Sequence, residues 1–122
     1  MIQMERKYDL EDRTAKFGES IIGLCRKIRQ DNIIAPIVNQ LIRSGTSVGA
    51  NYMEANGASS KKDFVNKIFI CKKELNETKH WLRMLKSSQP NVEISSIQKE
   101  CQELILIFTK IISSSRAKKV LT

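Results

Sequence analysis

Turn-forming and chemically reactive residues are scarce in this chain of 122 residues. It has one histidine, two prolines, five glycines and seven aromatics. A β-sandwich or barrel needs a turn about every ten residues, and two prolines with five glycines do not supply them. The three cysteines, Cys25, Cys71 and Cys101, are an odd number without C-x-x-C spacing. That disfavours both a disulfide framework and a structural zinc site. The longest strongly apolar stretch, Leu104 to Ile112, is interrupted by Thr109 and Lys110, far short of the ~20 residues a membrane span needs. The opening residues 1–7 lack the apolar run of a signal peptide, so a cytoplasmic location without membrane partners is expected.

What is present suits helices. Apolar residues make up 41% and charged residues 28%, ordinary globular proportions, and the length fits one domain over residues 1–122. Leu10, Thr14, Phe17, Ile21, Leu24 and Ile28 recur at alternating spacings of four and three, the stripe of an amphipathic helix. The same spacing joins Ile34, Val38, Leu41, Gly45, Val48, Tyr52 and Ala55, with Pro36 at the helix start, where a missing N–H costs nothing. Within it, Ser44 to Ala50 are small apart from Val48, and two mid-helix glycines call for close approach of a neighbouring helix. Asn56-Gly57 predicts a left-handed C-terminal cap.

A third seam runs through Phe64, Ile68, Cys71, Leu75, Thr78, Leu82 and Leu85 after a capping box at Ser60 and Asp63. A fourth follows Ile97, Cys101, Leu104, Phe108 and Ile111, with Ser95 and Gln98 as its capping box, before a basic tail expected to fray. The predicted helices cover about 10–30, 35–56, 60–87 and 95–115, and short connections imply an all-α, up-down-up-down antiparallel four-helix bundle. Ile105, Ile107 and Ile112 widen the fourth seam, and Ile33, Ile37 and Ile42 the second, as subunit contacts would.

Charge bears on partners. Twenty-one Lys+Arg against thirteen Asp+Glu give a formal net charge of +8, which suits a polyanion. Residues 61–86 contain eight basic residues and three acidic ones, a net +5. Lys72, Lys79 and Lys86 are seven apart and share one helical stripe, with Lys73 and Arg83 beside them. These five are the candidate phosphate contacts. A solvated lysine face is the plainer reading of a single helix, but repetition around an oligomer would make the surface multivalent.

Two stretches carry a family likeness. Arg43-Ser44-Gly45-Thr46-Ser47-Val48-Gly49-Ala50-Asn51-Tyr52-Met53-Glu54-Ala55, followed by Lys72-Lys73-Glu74-Leu75-Asn76-Glu77-Thr78-Lys79-His80-Trp81-Leu82, resembles the signature of the bacterial four-helix bundle proteins also called 23S rRNA intervening-sequence proteins. The opening Tyr8-Asp9-Leu10 with Phe17 is similar too, and the likeness spans about residues 8–112. Ala55 stands where many members have glycine. The resemblance implies a homopentameric ring of four-helix bundles. It also implies distant kinship to accessory proteins of diversity-generating retroelements, which bind nucleic acid and a reverse transcriptase. The family has no agreed molecular activity.

Catalytic patterns are weak. Glu77-Thr78-Lys79-His80 reads E-x-x-H, yet a di-metal bundle site wants two such motifs and the chain has one histidine. Gly45-Thr46-Ser47-Val48-Gly49 spells G-x-S-x-G, but inside the second helical seam rather than at a strand-to-helix elbow. The cysteines fall on or beside seam positions, and no glycine-rich loop joins a strand to a helix. No catalytic residue, metal or cofactor is assigned. The polar signature residues Arg43, Asn51, Glu54, Glu74, Glu77 and Trp81 suggest a network fixing helix register or crossing a subunit boundary, with a ligand pocket as the alternative. The sequence thus points to a non-enzymatic homo-oligomer that binds RNA or DNA. The alternative is an interaction scaffold docking a nucleic-acid enzyme such as a reverse transcriptase.

Overall fold

A computed structural model describes the backbone of residues 2–121 and the side chains of residues 9–116. Four helices account for nearly all of it: α1 (Ile2–Arg26), α2 (Ile34–Asn56), α3 (Lys61–Ser88) and α4 (Ser95–Leu121). No strand occurs among the described residues. Each helix packs on the next, α1 also meets α4, and neither diagonal pair makes backbone contact. The result is a four-helix bundle of square section. Side chains alone cross its diagonal: the Tyr52 and Phe108 rings meet edge to face, with centroids 5.8 Å apart.

Local chemistry explains where the helices differ from the sequence expectation. α1 starts at Ile2 rather than near residue 10 and stops at Arg26 rather than Gln30. It tightens at its end, where Lys27 and Ile28 N–H groups donate to the Leu24 and Cys25 carbonyls, an i→i+3 pattern. Asp31 then starts the next helix. Its Oδ1 accepts from Ile33 N at 2.9 Å and Ile34 N at 2.8 Å, so the cap comes from two residues before the formal boundary residue. Pro36, third in α2, lies among the N–H positions that lack intrahelical partners anyway.

Of three capping expectations, two come out differently. Gly57 ends α2 at φ −95°, not in the left-handed region, and its N–H is shared between the Met53 and Glu54 carbonyls. The Ser60 hydroxyl does accept from Asp63 N at 3.0 Å. At α4 the expected Ser95–Gln98 box is replaced: Glu93 accepts from Ser95 N at 2.8 Å, and Gln98 N donates to the Ile94 carbonyl. The Ser95 hydroxyl, which also donates to Glu93, and the Ser95 N–H together hold that carboxylate below its ordinary value. The backbone of α4 continues to Leu121 instead of fraying after Ser113. The side chains of Tyr8, Lys118 and Lys119 lie outside the described residues.

The seams form the core. Phe17, Ile21, Leu41, Ile68, Leu75, Leu82, Leu85, Leu104 and Phe108 are essentially inaccessible. Burial at that level stabilises by about 1.5–3 kcal/mol for each large side chain. The wide faces of α2 and α4 are partly consumed here as well. Ile105 and Ile112 are core residues, Ile37, Ile42 and Ile107 pack against the core, and only Ile33 of the six is fully outside.

The glycines of α2 do meet α1. A Cβ on Gly45 would sit 2.8 Å from Ile21 Cγ1 and 3.2 Å from its Cβ, and one on Gly49 would sit 3.4 Å from Thr14 Oγ1. Ile21 is β-branched and stiff at χ1, so it cannot swing clear. Gly45→Ala should therefore lower stability by about 1–2 kcal/mol, because overpacking outweighs the gain in helix propensity. Gly23, with nothing within 4 Å of its notional Cβ, is the control. Gly23→Ala should raise stability by about 0.5–1 kcal/mol in a urea melt.

Candidate nucleic-acid interface

The signature residues separate into groups. Arg43 NH1 donates to Glu74 Oε1 at 3.2 Å, its NH2 pairs with Glu77 Oε1, and its Nε reaches Gln40 at 3.1 Å. Trp81 Nε1 donates to the same Glu77 oxygen at 3.3 Å. Four of the six expected network members, Arg43, Glu74, Glu77 and Trp81, thus meet within one protomer. The other two do not join them. Asn51 donates to the Ser47 carbonyl of its own helix, and Glu54 accepts from Lys67 at 2.7 Å. Partner numbers fall along α3 as they rise along α2, so these contacts lock the sliding register of the pair.

Beneath that network lies a buried polar contact absent from the sequence expectation. Thr78 Oγ1 donates to Ser44 Oγ at 2.9 Å, and both residues are inaccessible. Ser44 falls beside the seam, which is why spacing alone overlooked it. A second missed contact ties α1 to α4. Arg13 grips Glu100 with two bonds of 2.7 Å and reaches Glu103 at 3.0 Å, a fork geometry matched to carboxylates. Those partners raise the Arg13 pKa further above its ordinary value. Sequence spacing carries no signal for a pair 87 positions apart.

The cationic residues of α3 stand apart from this pairing. Among the described residues the ion pairs engage Arg13, Lys16, Arg43 and Lys67. Lys72, Lys73, Lys79, Arg83 and Lys86 are in none of them. Glu74 and Glu77 are turned to Arg43 on the α2 side, so α3's two central acids do not neutralise its lysines. Lys79, Arg83, Lys73 and Lys86 are exposed, whereas Lys72 is half-buried. Lys86 Nζ donates to the Val92 carbonyl at 2.8 Å before α4, placing this stripe along the α3–α4 edge. Lys73, about 100° round the helix from Lys72, lies on a neighbouring stripe. Successive members of the Lys72, Lys79, Lys86 series are about 10.5 Å apart along the axis.

The remaining chemistry is quiet. His80 is exposed and stacks edge-on to Trp81 at 5.0 Å between centroids. No group of three or more potential metal ligands occurs among the described residues. Burial pushes the Cys25 thiol up to about 11, and Cys71 and Cys101 to about 12. The Cys71 and Cys101 thiols donate to the Val48 and Leu75 carbonyls. No helix among the described residues is long and apolar enough to cross a membrane.

A basic four-helix bundle with its polar signature on α2 and α3 defines the class. The family model of the 23S rRNA-intervening sequence protein matches residues 6–110, and the chain belongs to that family. The crystal structure of a protein of unknown function from the S23 ribosomal protein family of Bacteroides thetaiotaomicron is similar. It shares 32% identity and a TM-score of 0.75, covering 84% of this chain and 97% of that one. A search of the curated proteins gave no match.

Two outcomes follow from this geometry. A double-mutant cycle on Arg43→Ala and Glu77→Ala in urea melts should give a coupling of about 0.5–1 kcal/mol, the scale of a partly exposed pair. The three thiols should resist iodoacetamide at pH 8 in the folded protein and react on unfolding. Because their folded pKa values exceed the ordinary 9.0 of the unfolded chain, they contribute stability below pH 9 that is lost as pH rises towards 11–12. Rapid labelling under native conditions would contradict the assignment.

Proposed function

We propose that the protein is a non-enzymatic, self-associating, up-down-up-down antiparallel bundle that binds the phosphate backbone of RNA or DNA through the cationic face of α3. The observation that carries this reading is the segregation of charge on that helix. Its central acids are satisfied by Arg43 while Lys73, Lys79 and Arg83 are exposed and, among the described residues, in no ion pair with a carboxylate. Lys72 and Lys86 flank them, one half-buried and one bonded to a backbone carbonyl. Unpaired cations in register on a rigid helix meet a polyanion without first breaking internal ion pairs. Assembly into a ring, pentameric as the family likeness implies, multiplies the contacts and so the avidity.

Lysine–phosphate contacts position a strand without reading its sequence. No exposed aromatic cluster accompanies them among the described residues: Phe17, Tyr52 and Phe108 are buried and Phe64 and Trp81 half-buried, leaving Phe69 as the one large exposed ring. Stacking-based recognition of unpaired bases would need more than one such surface. Sequence preference should therefore be weak.

Binding by counterion release weakens steeply with salt. A mobility-shift titration with a short RNA should give a log–log slope of magnitude above ~3, falling by about 2 in the Lys73→Gln, Lys79→Gln, Arg83→Gln variant. Absence of binding at low salt, or an unchanged slope in the variant, would reduce the stripe to a solvated face.

A further inference from the structure

A groove runs between α1 and α2, a cavity of about 660 Å³ open to solvent. Its floor is made of small residues, Ala15, Gly18, Gly49 and Ala50, where the two helices come close. Ile22 and Met53 line it and are 36% and 54% exposed, apolar surface that the bundle leaves uncovered. Three acids, Glu11, Asp12 and Glu19, complete the lining; Asp12 is paired with Lys16 at 3.0 Å, whereas Glu11 and Glu19 are in no ion pair among the described residues. In a chain of net charge +8, this is a locally acidic, apolar-floored surface.

The opposite edge of the square bundle has the complementary character. Phe69 on α3 is 38% exposed, and the Arg116 guanidinium of α4 lies over its ring at 5.0 Å from the centroid. Lys72 follows three residues later on the same face of α3. An aromatic knob flanked by two cations therefore projects from the α3–α4 edge, while an apolar hollow edged by three carboxylates opens on the α1–α2 edge. Because α1 and α3 are not neighbours, the knob of one copy cannot reach its own hollow.

We propose that the α1–α2 groove of one copy receives the α3–α4 knob of a second copy, with Phe69 against Ile22 and Met53 and with Lys72 and Arg116 facing Glu11 and Glu19. The inference rests on the self-association part of the function proposed above and assigns the surfaces through which it occurs. Such a contact is heterologous: two different faces meet, so each copy keeps one of each free for the next, and the chain of contacts closes into a ring or continues as a filament. Complementary charge fixes the pairing and opposes docking of groove on groove or knob on knob. Lys73, Lys79 and Arg83 stay outside the proposed contact, leaving phosphate binding to them.

Light scattering on the full chain tests the assignment, with circular dichroism verifying helix content in each variant. Wild type should exceed the 13.9 kDa of one chain. The Glu11→Lys, Glu19→Lys variant and the Lys72→Glu, Arg116→Glu variant should each fall to monomer mass while remaining helical. The chain carrying all four changes should regain the larger mass, which a merely damaged surface would not do. Phe69→Ala should weaken assembly without changing charge. Retention of the oligomer in both charge-reversed variants would place the contact elsewhere and overturn this inference, leaving self-association intact. A monomeric wild type at micromolar concentration would overturn both. Loss of RNA affinity in Phe69→Ala at unchanged mass would turn the knob towards nucleic acid instead and overturn the docking.

Discussion

Close approach of α1 and α2 is the constraint on which the rest of the bundle depends. Gly45 gives up helix propensity so that Ile21 can lie against bare backbone, and Gly49 does the same opposite Thr14. That contact sets how near the two helices come, which leaves the shallow groove on their outer side. It also fixes where α2 presents its other edge. Ser44 and Arg43 sit beside Gly45, and both are committed to α3: Ser44 to Thr78 inside, Arg43 to Glu74 and Glu77 at the surface.

The polar signature therefore acts as a register device with an electrostatic consequence. By drawing Glu74 and Glu77 towards α2, Arg43 removes the two carboxylates that would otherwise stand nearest the lysines of α3. The ion pairs themselves are partly exposed and contribute little to stability, on the order of 1 kcal/mol or less. Their larger effect is on the pattern of charge. One helix carries acids on the flank bonded to its neighbour and unpaired cations on the flank towards α4. A protein with the same net charge but mixed pairs would present a much weaker field to a phosphate backbone.

Most of the fold was legible in the sequence, because a seam repeating at three and four residues has one geometric meaning. Every predicted seam residue of α2 is buried, and the glycine pair found its compensation against α1. Helix ends were less legible, since they depend on which side chain wins a competition for free backbone groups. Asp31 and Glu93 won at positions where proline and serine had been the visible signals. The polar cluster was half legible: the residue types marked it, yet nothing in the spacing separated Glu54, bonded to Lys67, from Glu74 and Glu77. Long-range pairs such as Arg13 with Glu100, and the acidic groove, arise only when distant helices are brought side by side.

Amide chemical-shift mapping during titration with a short single-stranded RNA tests the central claim most directly, because it reports position as well as binding. The charge-segregated helix predicts perturbations concentrated between Lys72 and Lys86 and on the adjoining edge of α4, diminishing as salt is added. Perturbations centred on α1 and α2, or none at low salt, would contradict it.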